Sequence, residues 1–310
     1  MGHPSPAPLA AIVGPTASGK SDLALAMATQ IPLEILVADS RQVYRGMDIG
    51  TAKPDVVTRE AVPHHLLDLV APDEPFSVAD WVAAARPLID RIAARGPLPL
   101  VVCGTGLYLS ALIDGYDLSS APPSSDLRQE LSRELAERGV GALANRLAAS
   151  DPTAAGRVDL RNPRRVVRAL ERGAQPTDPN RPWTSGLAII GLRRPIDVLD
   201  RRIDARAARL FADGLLAEVA ALIAAGYPAD LAPMTGHGYR EAARVLLGES
   251  SLEEAIDTTA RRTRQHARRQ RTWFKRDQRI SWIDAGDLPA NHPDVVDQAR
   301  AVLRAARLSA

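Results

Sequence analysis

Leu9-Ala10-Ala11-Ile12-Val13-Gly14-Pro15-Thr16-Ala17-Ser18-Gly19-Lys20-Ser21 sets a short apolar run directly before a glycine-bounded loop. Five apolar residues ending at Gly14 read as a buried parallel strand. Residues 14–21 fit G-x-x-x-x-G-K-[ST], and residues 20–30 read as a helix, so the match lies between strand and helix as its mechanism requires. The glycines let the backbone curl with its N–H groups inward, and the positive end of the helix dipole faces the same point. Lys20 adds a point charge, and the Ser21 hydroxyl is a candidate ligand for Mg2+. Gly14, Pro15, Thr16, Ala17, Ser18, Gly19, Lys20 and Ser21 therefore form a candidate site for a di- or triphosphate, without saying which molecule carries it.

Working outward, residues 33–38 read as a second strand ending at Asp39, residues 66–70 as a third, and residues 98–103 as another ending at Gly104. A helix at 77–95 opens with Ser77 and Asp80 at capping-box spacing. Strands alternating with helices imply parallel βαβ units with helices on both faces. Ligands of such sheets bind beyond the carboxyl ends of the strands, where Gly14, Asp39 and Gly104 all fall. A loop at 116–125 is followed by helical patterns at 125–138, 141–149 and 163–173, then a polar break at 174–186. Strand character returns at 187–192. Helices follow near 196–213, 215–225, 239–247 and 251–277, the last with Ser251 and Glu254 at capping-box spacing; a strand at 279–284 and a helix near 293–307 close the chain. The expected fold is α/β: a P-loop NTPase-like parallel sheet flanked by helices, formed by residues 1–118 and 187–310, with a helical insertion domain at 119–186.

The 310 residues are 45% hydrophobic and 25% charged, values of a globular chain with ample length for a core. Net charge is only +2, so its distribution matters more than its sum. Lys20, Lys53 and Lys275 are the only lysines; nearly all positive charge is arginine, whose planar fork suits phosphate. The single cysteine, Cys103, permits no disulfide or cysteine-based zinc site within one chain, and Met1 to Pro8 lacks a signal-peptide pattern. No run approaches a membrane span. These features lead us to expect a cytoplasmic, monomeric protein without a membrane partner.

Residues 261–279 hold nine basic residues (Arg261, Arg262, Arg264, Arg268, Arg269, Arg271, Lys275, Arg276, Arg279) against one acid, Asp277. At about 100° per residue, all nine fall within half of a helix circumference, opposite Thr263, Ala267, Gln270 and Phe274. Such a stripe reads as a track for a nucleic-acid backbone. His64 and His65 have no other His or Cys at metal-ligand spacing and suit a structural or substrate-loop role.

A phosphate loop alone suggests a phosphoryl-transfer or ATP-hydrolysing enzyme, with Asp39 as a Mg2+-site residue. The polar run after Asp39 points to substrate reading instead. Residues 14–21 followed by Asp39-Ser40-Arg41-Gln42-Val43-Tyr44-Arg45-Gly46-Met47-Asp48-Ile49-Gly50-Thr51-Ala52-Lys53-Pro54 resemble the tRNA dimethylallyltransferase (isopentenyl-pyrophosphate transferase) family of bacterial type. Later segments agree in order: His64-His65-Leu66, Phe76-Ser77-Val78-Ala79-Asp80, Gly104-Thr105-Gly106-Leu107-Tyr108, Asn162-Pro163-Arg164-Arg165-Val166-Val167-Arg168-Ala169-Leu170-Glu171, Gly238-Tyr239-Arg240 and Arg268-Arg269-Gln270-Arg271-Thr272-Trp273-Phe274. The chain departs from the pattern at His237, where an aliphatic residue is usual.

The resemblance implies that the loop holds dimethylallyl pyrophosphate rather than ATP, with Mg2+. The N6 amine of the adenosine on the 3′ side of the anticodon then attacks the allylic carbon and pyrophosphate leaves. It implies Asp39 as base, Thr105 as hydrogen-bond partner of the same amine and Arg206 as pyrophosphate clamp. It places the tRNA anticodon stem-loop against Asp39, Ser40, Arg41, Gln42, Thr105, Arg128, Arg164, Arg165, Val166, Val167 and Arg168. Gly238, Tyr239, Arg240, Arg268, Arg269, Gln270, Thr272, Trp273 and Lys275 join them in that reading. The target base would be flipped out of its stack, and Trp183, Trp273 and Phe274 could stack on bases or pack internally. Competing readings are a small-molecule kinase, a transferase acting on free adenylate, and a non-catalytic RNA-binding protein. The basic stripe and insertion argue against the second, and Lys20, Ser21 and Asp39 against the third.

Overall fold

The structure, a computed structural model, describes residues 7–115, 125–173, 182–183 and 186–308. It contains the strands β1 (Leu9–Val13), β2 (Leu33–Ala38), β3 (His64–His65), β4 (Leu98–Cys103), β5 (Leu187–Arg193) and β6 (Ile280–Asp284). All pair in parallel in one sheet of order β3-β2-β4-β1-β5-β6, the helix-flanked α/β fold expected. The helices are α1 (Lys20–Ala28), α2 (Val56–Ala61), α3 (Val78–Ala94), α4 (Gly106–Ile113), α5 (Ser125–Ser150), α6 (Pro152–Arg157), α7 (Pro163–Arg172), α8 (Ile196–Ala212), α9 (Leu215–Ala224), α10 (Tyr239–Leu246), α11 (Leu252–Phe274) and α12 (Pro293–Ala305).

β1 is central and wholly buried, which is why it shows no polar alternation. Ala10 and Ile12 join Ile35, Leu100 and Ile190 in a core closed by Leu23 and Met27 of α1 and by Val295, Ala299 and Leu303 of α12. On the sheet, α3 and α4 pack against β4, and the Trp81 indole donates to the Val37 carbonyl at 2.9 Å.

Register places the site. Val13 pairs with Cys103, and Cys103 with Ala38, so three neighbouring strands end level. The next residues, Gly14, Gly104 and Asp39, emerge along one edge. With strands about 4.8 Å apart, Asp39 leaves the sheet roughly 10 Å from the start of the phosphate loop.

The third strand lies earlier than expected. It is His64–His65 rather than residues 66–70, because Leu66 (φ 66°) and Asp68 (φ 55°) take left-handed conformations that end the extended run. Val70 makes only an isolated bridge to Tyr44. Asp68 instead accepts from Lys53 at 2.6 Å and from Arg59 at 2.9 Å. α11 likewise ends at Phe274, three residues before its expected limit.

Contacts divide the chain into two compact units, one of residues up to 114 and from 182 onward, the other of residues 115–181. In the second, Gly139 (φ 75°, ψ 175°) breaks α5 into two helical runs. Their buried residues Leu131, Leu143 and Leu147 pack with Val166 of α7. The expected loop at 116–125 and the break at 174–186 lie almost wholly outside the described residues.

Both expected capping boxes form: Ser77 with Asp80 opens α3, and Ser251 with Glu254 opens α11. Ser77→Ala removes the acceptor for the Asp80 amide. It should cost about 1 kcal/mol, seen as a fall of roughly 2–4 °C in the thermal midpoint with transfer activity unchanged.

Candidate active site

The loop between β1 and α1 takes the backbone path its glycines allow. Gly14 has φ 150° and Gly19 φ 99°, and a Cβ on Gly14 would lie 2.5 Å from the Leu192 carbonyl oxygen. Ala17, without a glycine's freedom, also has positive φ (63°). Ser18 is fully buried, and its Oγ has no hydrogen-bond partner among the described residues. The Lys20 ammonium donates to the Pro15 carbonyl at 2.8 Å, folded back over the loop. Its environment lowers its pKa to about 8, through burial first and repulsion from Arg206, against the opposing influence of Cys103 and Asp39.

Arg206 of α8 faces the same space. Burial holds its guanidinium below the ordinary arginine value, with Asp39 and Asp22 opposing the shift. It makes no salt bridge or hydrogen bond among the described residues. Two partly buried cations thus lie close enough to repel each other, an arrangement suited to an incoming polyanion.

Asp39 is oriented by the chain that follows it: one carboxylate oxygen accepts from the Arg41 amide at 2.8 Å and the Gln42 amide at 3.4 Å. Thr105 precedes the first turn of α4, and its side chain does not serve as a cap. Gly106 lies under Trp273, whose indole would overlap any Cβ there. Gln270 of α11 bridges the loops, accepting from the Thr16 amide at 2.8 Å and donating to the Gly104 carbonyl at 2.7 Å. The buried Cys103 thiol is pushed up to about 12 by burial, so it stays protonated at neutral pH.

Several side chains of the expected RNA-contact segments are engaged inside the protein. Val166 is buried in the core of the second unit. Tyr239 is 1% exposed, and its hydroxyl donates to Glu218 at 2.6 Å. Gln270 is taken up by the two loops. These three side chains face inward, toward the protein's own interior. Phe274 is core, and Trp183 is tied by its indole to the Ala7 carbonyl at 3.1 Å. The Arg41 guanidinium donates to the Ala232 carbonyl at 2.7 Å and to that of Pro233. Gln42 donates to the Thr51 carbonyl at 3.2 Å, and Gly238 (φ 92°) gives its amide to Glu241 at 2.8 Å.

The basic stripe is also smaller than expected. Lys275, Arg276 and Arg279 lie beyond the end of α11. Arg262 pairs with Glu241, Arg264 with Asp204, Arg268 with Asp200 at 3.4 Å and Arg279 with Asp114 at 2.6 Å. Arg261, Arg269, Lys275 and Arg276 remain exposed without an acidic partner among the described residues. Ser40, Arg240 and Thr272 are exposed, as are Arg164 and Arg165, while Val167 is half-buried. Arg128 pairs with Glu171 at 3.0 Å, and Arg168 reaches the same carboxylate at 3.4 Å.

His64 bonds to the Val62 carbonyl at 2.7 Å and His65 to Glu34 at 2.6 Å. Sequence reasoning passed over His266, whose ring lies 5.4 Å from that of His237. It also missed Arg194 and Arg202, which bond the phosphate loop. Only knowledge of which loops meet could have picked them out among so many arginines.

A phosphate loop at the head of a parallel sheet, with an oriented carboxylate at the end of β2 and an unpaired arginine opposite, defines an enzyme of the P-loop class. The IPP transferase family profile matches residues 42–277, and the isopentenyl transferase profile matches residues 7–62. The tRNA dimethylallyltransferase of Roseiflexus castenholzii is 46% identical over 309 residues, spanning 96% of this chain and 97% of that protein. That of Moorella thermoacetica is 43% identical, spanning 96% and 94%. The crystal structure of the full-length tRNA isopentenylpyrophosphate transferase of Bacillus halodurans superposes with a TM-score of 0.71 at 39% identity, over 97% of this chain and 98% of that one. A eukaryotic dimethylallyltransferase, described as acting on tRNA, gives 0.78 at 25% identity, over 95% and 77%. The chain belongs to this family of prenyl-transferring, tRNA-modifying enzymes.

The Lys20 shift has a measurable consequence. Its folded-state pKa of about 8 lies below the ordinary lysine value of 10.5, so between these values the unfolded chain holds more protons. Falling pH through that window therefore favours unfolding, and a bound polyanion offsets this by holding the proton. Pyrophosphate affinity should fall as pH rises above about 8, by up to roughly tenfold per unit while only the free enzyme has lost the proton, and binding near pH 9 should take up protons. Titration calorimetry in buffers of different ionisation enthalpy checks both.

Proposed function

We propose that the chain transfers a dimethylallyl group from dimethylallyl pyrophosphate to N6 of the adenosine 3′-adjacent to the anticodon in tRNA, releasing pyrophosphate. The observation that carries the reading is the juxtaposition at the level strand ends: two desolvated cations lie beside the phosphate loop, and the oriented Asp39 carboxylate lies across the same edge. A phosphoryl-transfer enzyme needs cations too; family membership favours a diphosphate that departs over a phosphate that is passed on.

In this reading the loop amides and Lys20 hold the diphosphate, with Arg206 against it. As the N6 lone pair forms its bond to the allylic C1, the C1–O bond breaks and its electrons go to the pyrophosphate oxygen. Preorganised donors then meet charge as it develops. Asp39 takes the N6 proton, a contribution of about 10²–10⁴-fold for a placed general base. Thr105, its hydroxyl not used as a cap, holds the amine. The Ser21 hydroxyl, exposed at the first turn of α1 and without a hydrogen-bond partner among the described residues, would hold a hard, oxygen-seeking cation. Bound there, Mg2+ would supply charge neutralisation to the leaving group.

The RNA would lie against Asp39, Ser40, Thr105, Arg240, Arg269, Thr272, Trp273 and Lys275, with Arg41, Gln42 and Gly238 shaping the backbone beneath it. The family resemblance adds Arg128, Arg164, Arg165, Val167 and Arg168 as further RNA contacts. Trp273, 40% exposed over Gly106, would stack on a base. We propose a monomeric, cytoplasmic protein; no helix among the described residues is long and apolar enough to cross a membrane.

Incubation with unmodified tRNA, dimethylallyl pyrophosphate and Mg2+ should yield N6-prenyl adenosine by nucleoside mass analysis, with no requirement for ATP. Transfer of the ATP γ-phosphate to an acceptor, with RNA left unaltered, would sink the proposal. Asp39→Ala should abolish turnover while leaving tRNA affinity largely intact; collapse of affinity instead would remove Asp39 as the base.

Charge reversal at Arg269 and Arg276, neither of which has an internal acid to release, should weaken tRNA binding. The salt dependence should flatten by about one log-log unit of slope for each phosphate that is no longer neutralised. Filter binding across a salt series measures it, and an unchanged slope counts against the track.

A further inference from the structure

Two guanidinium groups grip consecutive carbonyls of the phosphate loop from behind. Arg202 of α8 donates through Nε to the Ala17 carbonyl at 2.8 Å. Arg194, which follows β5 and is 2% exposed, donates through Nε to the Ser18 carbonyl at 2.7 Å. Arg194 also donates through Nη1 to the carbonyls of Gly286 and Leu288 at 2.8 and 2.7 Å, anchoring it to the loop after β6.

A planar peptide carries its C=O and the following N–H in opposite directions. A guanidinium that fixes the Ser18 carbonyl outward therefore fixes the Gly19 N–H inward. That amide has no acceptor among the described residues and is free for an anion. Similarly, a fixed Ala17 carbonyl secures the Ser18 amide, which closes the turn onto the Pro15 carbonyl at 3.3 Å. The grip also has strain to oppose. Ala17 sits at φ 63°, a conformation a non-glycine residue keeps only when its surroundings hold it. A charged donor on a carbonyl further polarises the peptide and strengthens its N–H as a donor.

We propose that Arg194 and Arg202 are positioning residues that hold the phosphate loop in its anion-accepting conformation by fixing the Ser18 and Ala17 carbonyls, without themselves contacting the diphosphate. The inference rests on the proposed function only in taking a diphosphate as ligand. It gives α8 two separate tasks one turn apart: Arg202 shapes the loop and Arg206 meets the ligand.

The test compares wild type with Arg202→Met, Arg202→Lys and Arg194→Lys. The probe is inorganic pyrophosphate with Mg2+ in titration calorimetry, alongside tRNA binding, the thermal midpoint and steady-state transfer. Arg202→Met should bind pyrophosphate about tenfold more weakly, roughly one charge-assisted hydrogen bond's worth, and raise KM for the prenyl donor while tRNA affinity holds. Arg202→Lys, which keeps a donor for the Ala17 carbonyl, should recover much of the loss. Arg194→Lys, deprived of the fork that spans three carbonyls, should not. Folded variants that bind pyrophosphate as wild type does would overturn the proposal. So would loss of tRNA affinity in step with pyrophosphate affinity, since that marks general destabilisation. Should wild type bind pyrophosphate but transfer nothing to tRNA, the proposed function fails while the loop arm still decides this inference; a wild type that binds no pyrophosphate overturns both.

Discussion

Everything in the catalytic unit is arranged around the cost of holding positive charge away from water without an acid to pair it. Lys20 and Arg206 are both desolvated, and Lys20 feels the repulsion of Arg206. Such an arrangement rests on the central strands β1, β2 and β4, which are almost wholly buried and end level. Nearby carboxylates oppose the cost without removing it: Asp39 and Asp22 act on Arg206 by charge alone, without forming a salt bridge to it. In the proposed function, the diphosphate would supply the negative charge that the fold itself does not.

The segment after β2 is held by a different device, ions satisfied internally. Lys53, whose side chain is wholly buried, donates to Asp48, Asp68 and the Tyr44 carbonyl. Glu218 accepts the amides of Asp48, Ile49 and Gly50 together with the Tyr239 hydroxyl. These interactions commit their charge to the fold, and so the conspicuous Lys53 and Tyr239 of the sequence motifs serve conformation. The result is the rigid frame from which Asp39 and Gln42 project. A motif residue can therefore be essential to a site that it never touches.

This distinction marks what the sequence could disclose. Strand ends were legible, because an apolar run that stops at Gly14, Asp39 or Gly104 follows from burial alone. So were the caps at Ser77 and Ser251, which depend on residues three apart. The end of the third strand was not, since the left-handed turns at Leu66 and Asp68 are fixed by partners, Lys53 and Arg59 among them, that lie elsewhere in the chain. The nine-residue basic stripe was legible only in part for the same reason. Helical spacing shows which side chains share a face, but the acids that neutralise Arg262, Arg264 and Arg268 come from α8 and α10. Local rules reach as far as local contacts do.

Those neutralised arginines nevertheless connect the two halves of the site. Arg264 and Arg268 dock α11 along α8 through Asp204 and Asp200, the helix that also carries Arg202 and Arg206 to the phosphate loop. On its other side α11 sends Gln270 between the amide of Thr16 and the carbonyl of Gly104, and Trp273 over Gly106. The helix whose outer arginines form the proposed nucleic-acid track is thus bonded on its inner face to both loops of the candidate anion site. In the proposed function one pair of helices carries both the loop-binding groups and the RNA-facing arginines, so a shift of α11 would also move the side chain that holds the Thr16 amide and the Gly104 carbonyl.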